Sequence, residues 1–109
     1  MNKQILEVVD SVSMEKGVNK EIIFEALEEA ISSATKKIIA DEANINVVID
    51  RSTGEYNTFR NWTLVKDEDF VDQIFEITEE GIEDHHLEDG IATKQIENID
   101  FGRISAQAA

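Results

Sequence analysis

Apolar residues recur at Ile23, Leu27, Ala30, Ile31, Ala34 and Ile38, inside the run from Asn19 to Ala40. That spacing draws one continuous stripe along a helix. Asn19 stands where a side-chain oxygen can accept an orphan backbone N–H and so start the helix. Val18 and Ile23 occupy the two positions of a hydrophobic staple. Glu21 and Glu25 lie toward the positive end of the helix dipole, and Lys36 and Lys37 toward the negative end. Upstream, Ile5, Val8, Val9 and Val12 give a narrower stripe, which predicts a first helix over Met1 to Lys16 with Gly17 as its left-handed stop. Only Gly17-Val18-Asn19 separates the two helices, so they form a hairpin.

After Asp41 to Asn44 the period changes. Ile45 to Ile49 is short and β-branched, the pattern of a strand. Asp50 to Glu55 is a polar turn containing Gly54. Tyr56 to Lys66 alternates, with Tyr56, Thr58, Arg60, Trp62 and Leu64 on one side and Asn57, Phe59, Asn61, Thr63 and Val65 on the other. The two segments predict an antiparallel hairpin with one face on the helices. Asp67 to Gln73 reads as an acidic loop, Ile74 to Ile77 as a short strand, and Glu79 to Asp84 as a brief helix capped by Thr78. His85 to Gly90 reads as a loop and Ile91 to Ile96 as a fourth strand. A last helix starts near Phe101, capped by Asp100, and stops without a cap, a glycine or a basic last turn; the pattern predicts that the natural chain continues. The expected class is α+β: an N-terminal helical hairpin packed with a small, mostly antiparallel sheet, ending in the start of a long C-terminal helix.

Composition narrows the chemistry. The 109 residues carry a net charge of −14, a poor match to a phosphate backbone, whose binders neutralise it with Lys and Arg. The charge is uneven: residues 1–66 have eight basic and eleven acidic side chains, residues 67–109 two and thirteen. Such an acidic half repels nucleic acid, meets a basic protein surface, or simply confers solubility. There is no cysteine, hence no disulfide and no thiolate ligand or nucleophile. No apolar run spans a bilayer and no signal-peptide core opens the chain, which reads as a soluble cytosolic protein.

Candidate sites are few. His85-His86 with Asp89 is a metal-like cluster, but adjacent histidines diverge and zinc needs converging ligands; a surface pair is the plain reading. No phosphate loop, nucleophile elbow or calcium loop is present, so no cofactor or metal is implied and an enzyme is not expected. Phe59, Arg60 and Trp62 share one strand. Aromatics and Arg anchor interfaces; the plain reading places Phe59 or Trp62 in the core and leaves Arg60 exposed. Lys36, Lys37 and Arg103 are isolated positive charges, either dipole complements at a helix end or a small basic spot for a partner.

Several ordered runs carry a resemblance. They are Ile23-Phe24-Glu25-Ala26-Leu27-Glu28, Ala34-Thr35-Lys36-Lys37, Val48-Ile49-Asp50-Arg51, Thr58-Phe59-Arg60 before Trp62, Gln95-Ile96-Glu97, and Phe101 with Arg103-Ile104. Together they resemble the N-terminal domain of the bacterial transcription elongation factor NusA over nearly the whole chain. Departures lie mainly in Asp67 to Asp89, at Asn61, where a second basic residue is expected, and at Gly102, where an acidic one is. The resemblance implies a domain that binds RNA polymerase at the flap-tip helix of the β subunit, beside the RNA exit channel, and modulates pausing, termination and antitermination. It implies that the complete factor binds RNA through S1 and KH domains absent from this chain. Phe59, Arg60, Arg103, Lys36 and Lys37 are the expected partner-binding residues. The rival expectation is a direct RNA-binding module touching nascent hairpins.

Overall fold

In the computed structural model, which describes residues 2–100, helix α1 spans Lys3–Lys16 and α2 spans Lys20–Ile39. The first helix starts at Asn2, whose side chain accepts the Ile5 N–H, and ends at Gly17 with φ +65°, whose N–H returns to the Ser13 carbonyl. Only the left-handed conformation closes that last turn, and glycine adopts it without steric cost. Asn19 accepts the Glu21 N–H at 2.8 Å and so caps α2 as the sequence predicts. The observed stripe is rotated slightly from the expected one. Ile23, Phe24, Ile31, Ala34 and Thr35 are buried, whereas Ile38 and Ala30 are exposed. Phe24 displaces the stripe because a large ring buries more apolar area than Ala30.

Strands β1 (Asn44–Ile49) and β2 (Tyr56–Leu64) pair antiparallel in the register Val47↔Thr58. Burial alternates strictly along β1, with Ile45, Val47 and Ile49 turned toward the helices. A hairpin β4 (His86–Glu88) and β5 (Ile91–Ile96) completes the main sheet, in the order β1-β2-β5-β4. The two-residue β3 (Glu76–Ile77) lies against β2, and it does so in parallel, the exception to a mostly antiparallel sheet. The core is one cluster in which Ile5, Val9 and Ile31 are almost fully buried, with the inward residues of β1 and Tyr56 beneath them. Each such aliphatic contributes roughly 1.5–3 kcal/mol.

Three expectations change between residues 65 and 90. The helix after Thr78 shrinks to a 3-10 turn, Glu79–Gly81, without a side-chain cap from Thr78; Gly81 inside it disfavours propagation. The Asp67–Gln73 loop opens with a second 3-10 turn, Asp67–Asp69. The presumed loop His85 to Gly90 contains a strand, because Asp89 and Gly90 both take positive φ and form the tight turn of a two-residue hairpin. The helix expected from Phe101 onward lies outside the described residues, which end at Asp100. The Asn98–Ile99 segment after β5 is strapped to β2: Thr58 donates to Asn98 at 2.8 Å, Asn98 donates to the Tyr56 carbonyl at 2.7 Å, and Tyr56 donates its hydroxyl to the Ile99 carbonyl.

Candidate protein-docking site

Strand alternation separates Phe59 from Arg60. Phe59 lies on the face of the sheet opposite α1 and α2, half-buried between its register partners Asn46 and Gln95. Around it this face is amide- and hydroxyl-rich, and its polar groups pair across strands. Asn61 accepts from Thr93 at 2.7 Å, and Gln95 donates to Asn57 at 3.0 Å. These lateral bonds hold the side chains in one arrangement before any partner arrives. A neutral face on a strongly acidic chain is approachable by a macromolecule without like-charge repulsion.

Arg60 and Trp62 occupy the helix-side face, where the segment after β2 supplies their contacts. The Arg60 guanidinium lies 4.8 Å from the centre of the Trp62 ring and donates to the Ile74 carbonyl at 2.9 Å. Trp62 in turn meets His85 edge-on, with ring centres 4.8 Å apart. Arg60 is therefore half-buried rather than exposed, and neither Phe59 nor Trp62 is a core residue. The reason is reach: α2 packs on β1, so only the Tyr56–Thr58 end of β2 lies under the hairpin. The Arg60 Nε and His85 Nδ1 are buried without a hydrogen-bond partner among the described residues. His86 points away from His85 to solvent, beside Glu88 at 3.5 Å. No group of three or more side chains among the described residues is arranged to hold a metal ion.

Lys36 and Lys37 sit in the last turn of α2, as dipole complements would, and neither enters an ion pair among the described residues. They belong to a different element from Phe59 and Arg60, so the structure does not gather the expected residues into one cluster. Arg103 lies outside the described residues.

Sequence reading missed the part played by Arg51. From the β1–β2 turn it donates to Glu21 at 2.7 Å and to Glu28 at 2.7 Å, and it lies 4.9 Å from the Phe24 ring centre. Glu28 also accepts the Ile49 N–H at 2.9 Å. The hydrogen bond from Arg51 holds the Glu21 carboxyl below the usual glutamate range, and those to Glu21 and Glu28 raise the Arg51 guanidinium. The available signal was Glu21 and Glu28 seven residues apart, two turns along one helical face.

The arrangement defines a small α+β domain, a helical hairpin on one face of a sheet whose other face is open, uncharged around Phe59 on β1, β2 and β5 and bordered by His86 and Glu88 of β4. The family model described as NusA N-terminal domain matches residues 4–109. The chain is 38% identical over 110 residues to the transcription termination/antitermination protein NusA of Rickettsia conorii, and 37% identical over 115 residues to that of Rickettsia prowazekii. Each match covers 99% of this chain and 22% of the relative, so the chain spans about a fifth of the length of these curated relatives. The solution structure of the N-terminal domain of NusA from B. subtilis superposes with a TM-score of 0.68 at 33% identity, covering 98% of this chain and 87% of that one. The chain belongs to the NusA N-terminal domain family.

Proposed function

We propose that this domain docks on RNA polymerase, at the flap-tip helix of the β subunit beside the RNA exit channel, and thereby modulates pausing, termination and antitermination. In this reading residues 1–109 are the cytoplasmic polymerase-binding domain of a longer factor whose S1 and KH domains bind RNA. The observation that carries the proposal is the uncharged sheet face around Phe59, in a chain of net charge −14. Helix-in-groove or helix-on-sheet docking draws affinity from such a surface and orientation from charges at its border. Phe59 is the proposed apolar anchor. Arg60, Lys36, Lys37 and Arg103 are proposed at the border. None of the described residues forms a helix long and apolar enough to cross a membrane, which agrees with a partner in the same compartment.

Co-elution tests the proposal. The chain is passed over a sizing column with core RNA polymerase, with polymerase lacking the β flap-tip helix, and with an RNA hairpin alone. Co-elution with the first and not the second supports docking at the flap tip. Equal co-elution with both polymerases overturns that location. Binding to the hairpin alone, falling steeply with salt, would favour the RNA-binding alternative.

A further inference from the structure

Residues 67–90 contain eleven Asp and Glu and no Lys or Arg. Within this acidic stretch the structure displays large apolar side chains. Phe70 is 42% exposed, Val71 85% and Phe75 40%. Isolated exposed apolar residues are ordinary, but three within six residues of one loop are a local concentration of apolar surface. The loop is closed on itself. Glu76 accepts the N–H groups of both Val71 and Asp72 at 2.8 Å, and Asp72 accepts that of Ile74 at 2.9 Å. Its far end is fixed to β2, where Thr63 donates to the Phe75 carbonyl at 2.8 Å. Next to it, Asp67 shares a cleft of about 390 Å³ with Leu64, Val65, Lys66, Glu79 and Glu80.

We infer that the Phe70–Phe75 loop is a second docking surface, which takes a basic amphipathic segment of a protein partner. The exposed side chains give such a segment an apolar seat. The surrounding carboxylates outnumber the nearby cations, Lys66 and the Arg60 that donates to the Ile74 carbonyl, and so select a partner that carries positive charge. The cleft between Asp67 and Glu79–Glu80 sets three carboxylates against the one ammonium of Lys66, a surplus that can receive a Lys or Arg, with Leu64 and Val65 lining it for the aliphatic stem. Closing the loop in advance reduces the ordering cost of binding. Nucleic acid is excluded as the occupant by the same carboxylates. The loop touches the proposed polymerase site only through the Arg60 bond to the Ile74 carbonyl, and its exposed side chains Phe70, Val71 and Phe75 are distinct from Phe59.

The test is a titration of isotope-labelled chain with three synthetic peptides, read by amide shifts. One carries leucines and lysines at helical spacing; the second replaces leucine by serine at equal charge; the third replaces lysine by glutamate. The expected result is saturable shifts at Phe70, Val71 and Phe75 with the Leu/Lys peptide, and affinity at least about tenfold lower for each of the others. Val71→Ser lowers affinity for the Leu/Lys peptide while the thermal unfolding curve stays unchanged. Equal binding of the Ser/Lys peptide, shifts spread over the whole acidic surface, shifts centred on Phe59, or no effect of Val71→Ser would each overturn the inference.

Discussion

Between Lys3 and Leu64 the helical and strand stripes supply nearly all of the buried residues; from Val65 to Gly90 not one residue is buried. The first region is held by apolar burial and the second by polar pins. Leu64 donates to the Gly90 carbonyl at 2.9 Å and Val65 to the Ile77 carbonyl at 2.9 Å, while Arg60, Trp62 and His85 stack beneath. Burial is non-directional and tolerates modest change, whereas hydrogen bonds in partial contact with water contribute only about 1 kcal/mol each. The body therefore carries global stability. The excursion opens locally at lower cost, as segments used for recognition commonly do.

The largest way to break this contrast lies in the core. Ile31 has no exposed surface, so Ile31→Ala should cost roughly 2–5 kcal/mol. The loss should appear in urea unfolding followed by circular dichroism and should affect both regions together. A smaller effect is expected at the β1–β2 turn. Gly54 has φ +76°, and a Cβ there would stand 2.4 Å from the Asn2 carbonyl oxygen. Gly54→Ala should destabilise by about 1–3 kcal/mol through strain at a positive φ, measured in the same way.

The next experiment separates the regions. Trp62→Ala removes both the Arg60 and the His85 contact. Hydrogen exchange should then quicken about tenfold at Val65, whose amide pins the excursion, for a loss of about 1.4 kcal/mol. Amides of α2 should change far less. Equal acceleration in α2 would show that the excursion is part of the global folding unit.

The smallest effect is expected at the Arg51 bridge, which is partly exposed. Arg51→Met should cost up to about 1 kcal/mol at neutral pH. Glu21 has its carboxyl pKa lowered in the folded chain, so its contribution is full above the ordinary glutamate value and is lost as pH falls through the depressed one. The gap between Arg51→Met and the parent should accordingly narrow in acid, and a gap that widens there would contradict the assigned cause.

The same contrast explains what could be read in advance. Both helices, the Asn19 cap, Gly17 and the β1–β2 hairpin were legible because period, cap and turn chemistry agreed at each place, whereas the Asn2 cap of α1 was not read. Past Leu64 the periodicity fades. Asp89-Gly90 is a hairpin-turn sequence, yet His85 to Gly90 reads as a loop because the residues before it show no strand alternation. The parallel pairing of β3 had no local signal, since it depends on where the chain returns rather than on its own residues. The candidate site was legible only in part. Alternation separated Phe59 from Arg60, but the engagement of Arg60 with Trp62 and Ile74 comes from a contact 14 residues away in sequence. Family resemblance supplied the proposed function, because a docking surface of the kind proposed needs no catalytic motif.

The most direct measurement is a residue-resolved titration of the labelled chain with the purified flap-tip region of the RNA polymerase β subunit. The account predicts saturable amide shifts over one contiguous surface that includes Phe59, while the buried amides around Ile31 stay in place. A folded spectrum with no saturable shift, or shifts that miss the Phe59 face, would contradict it.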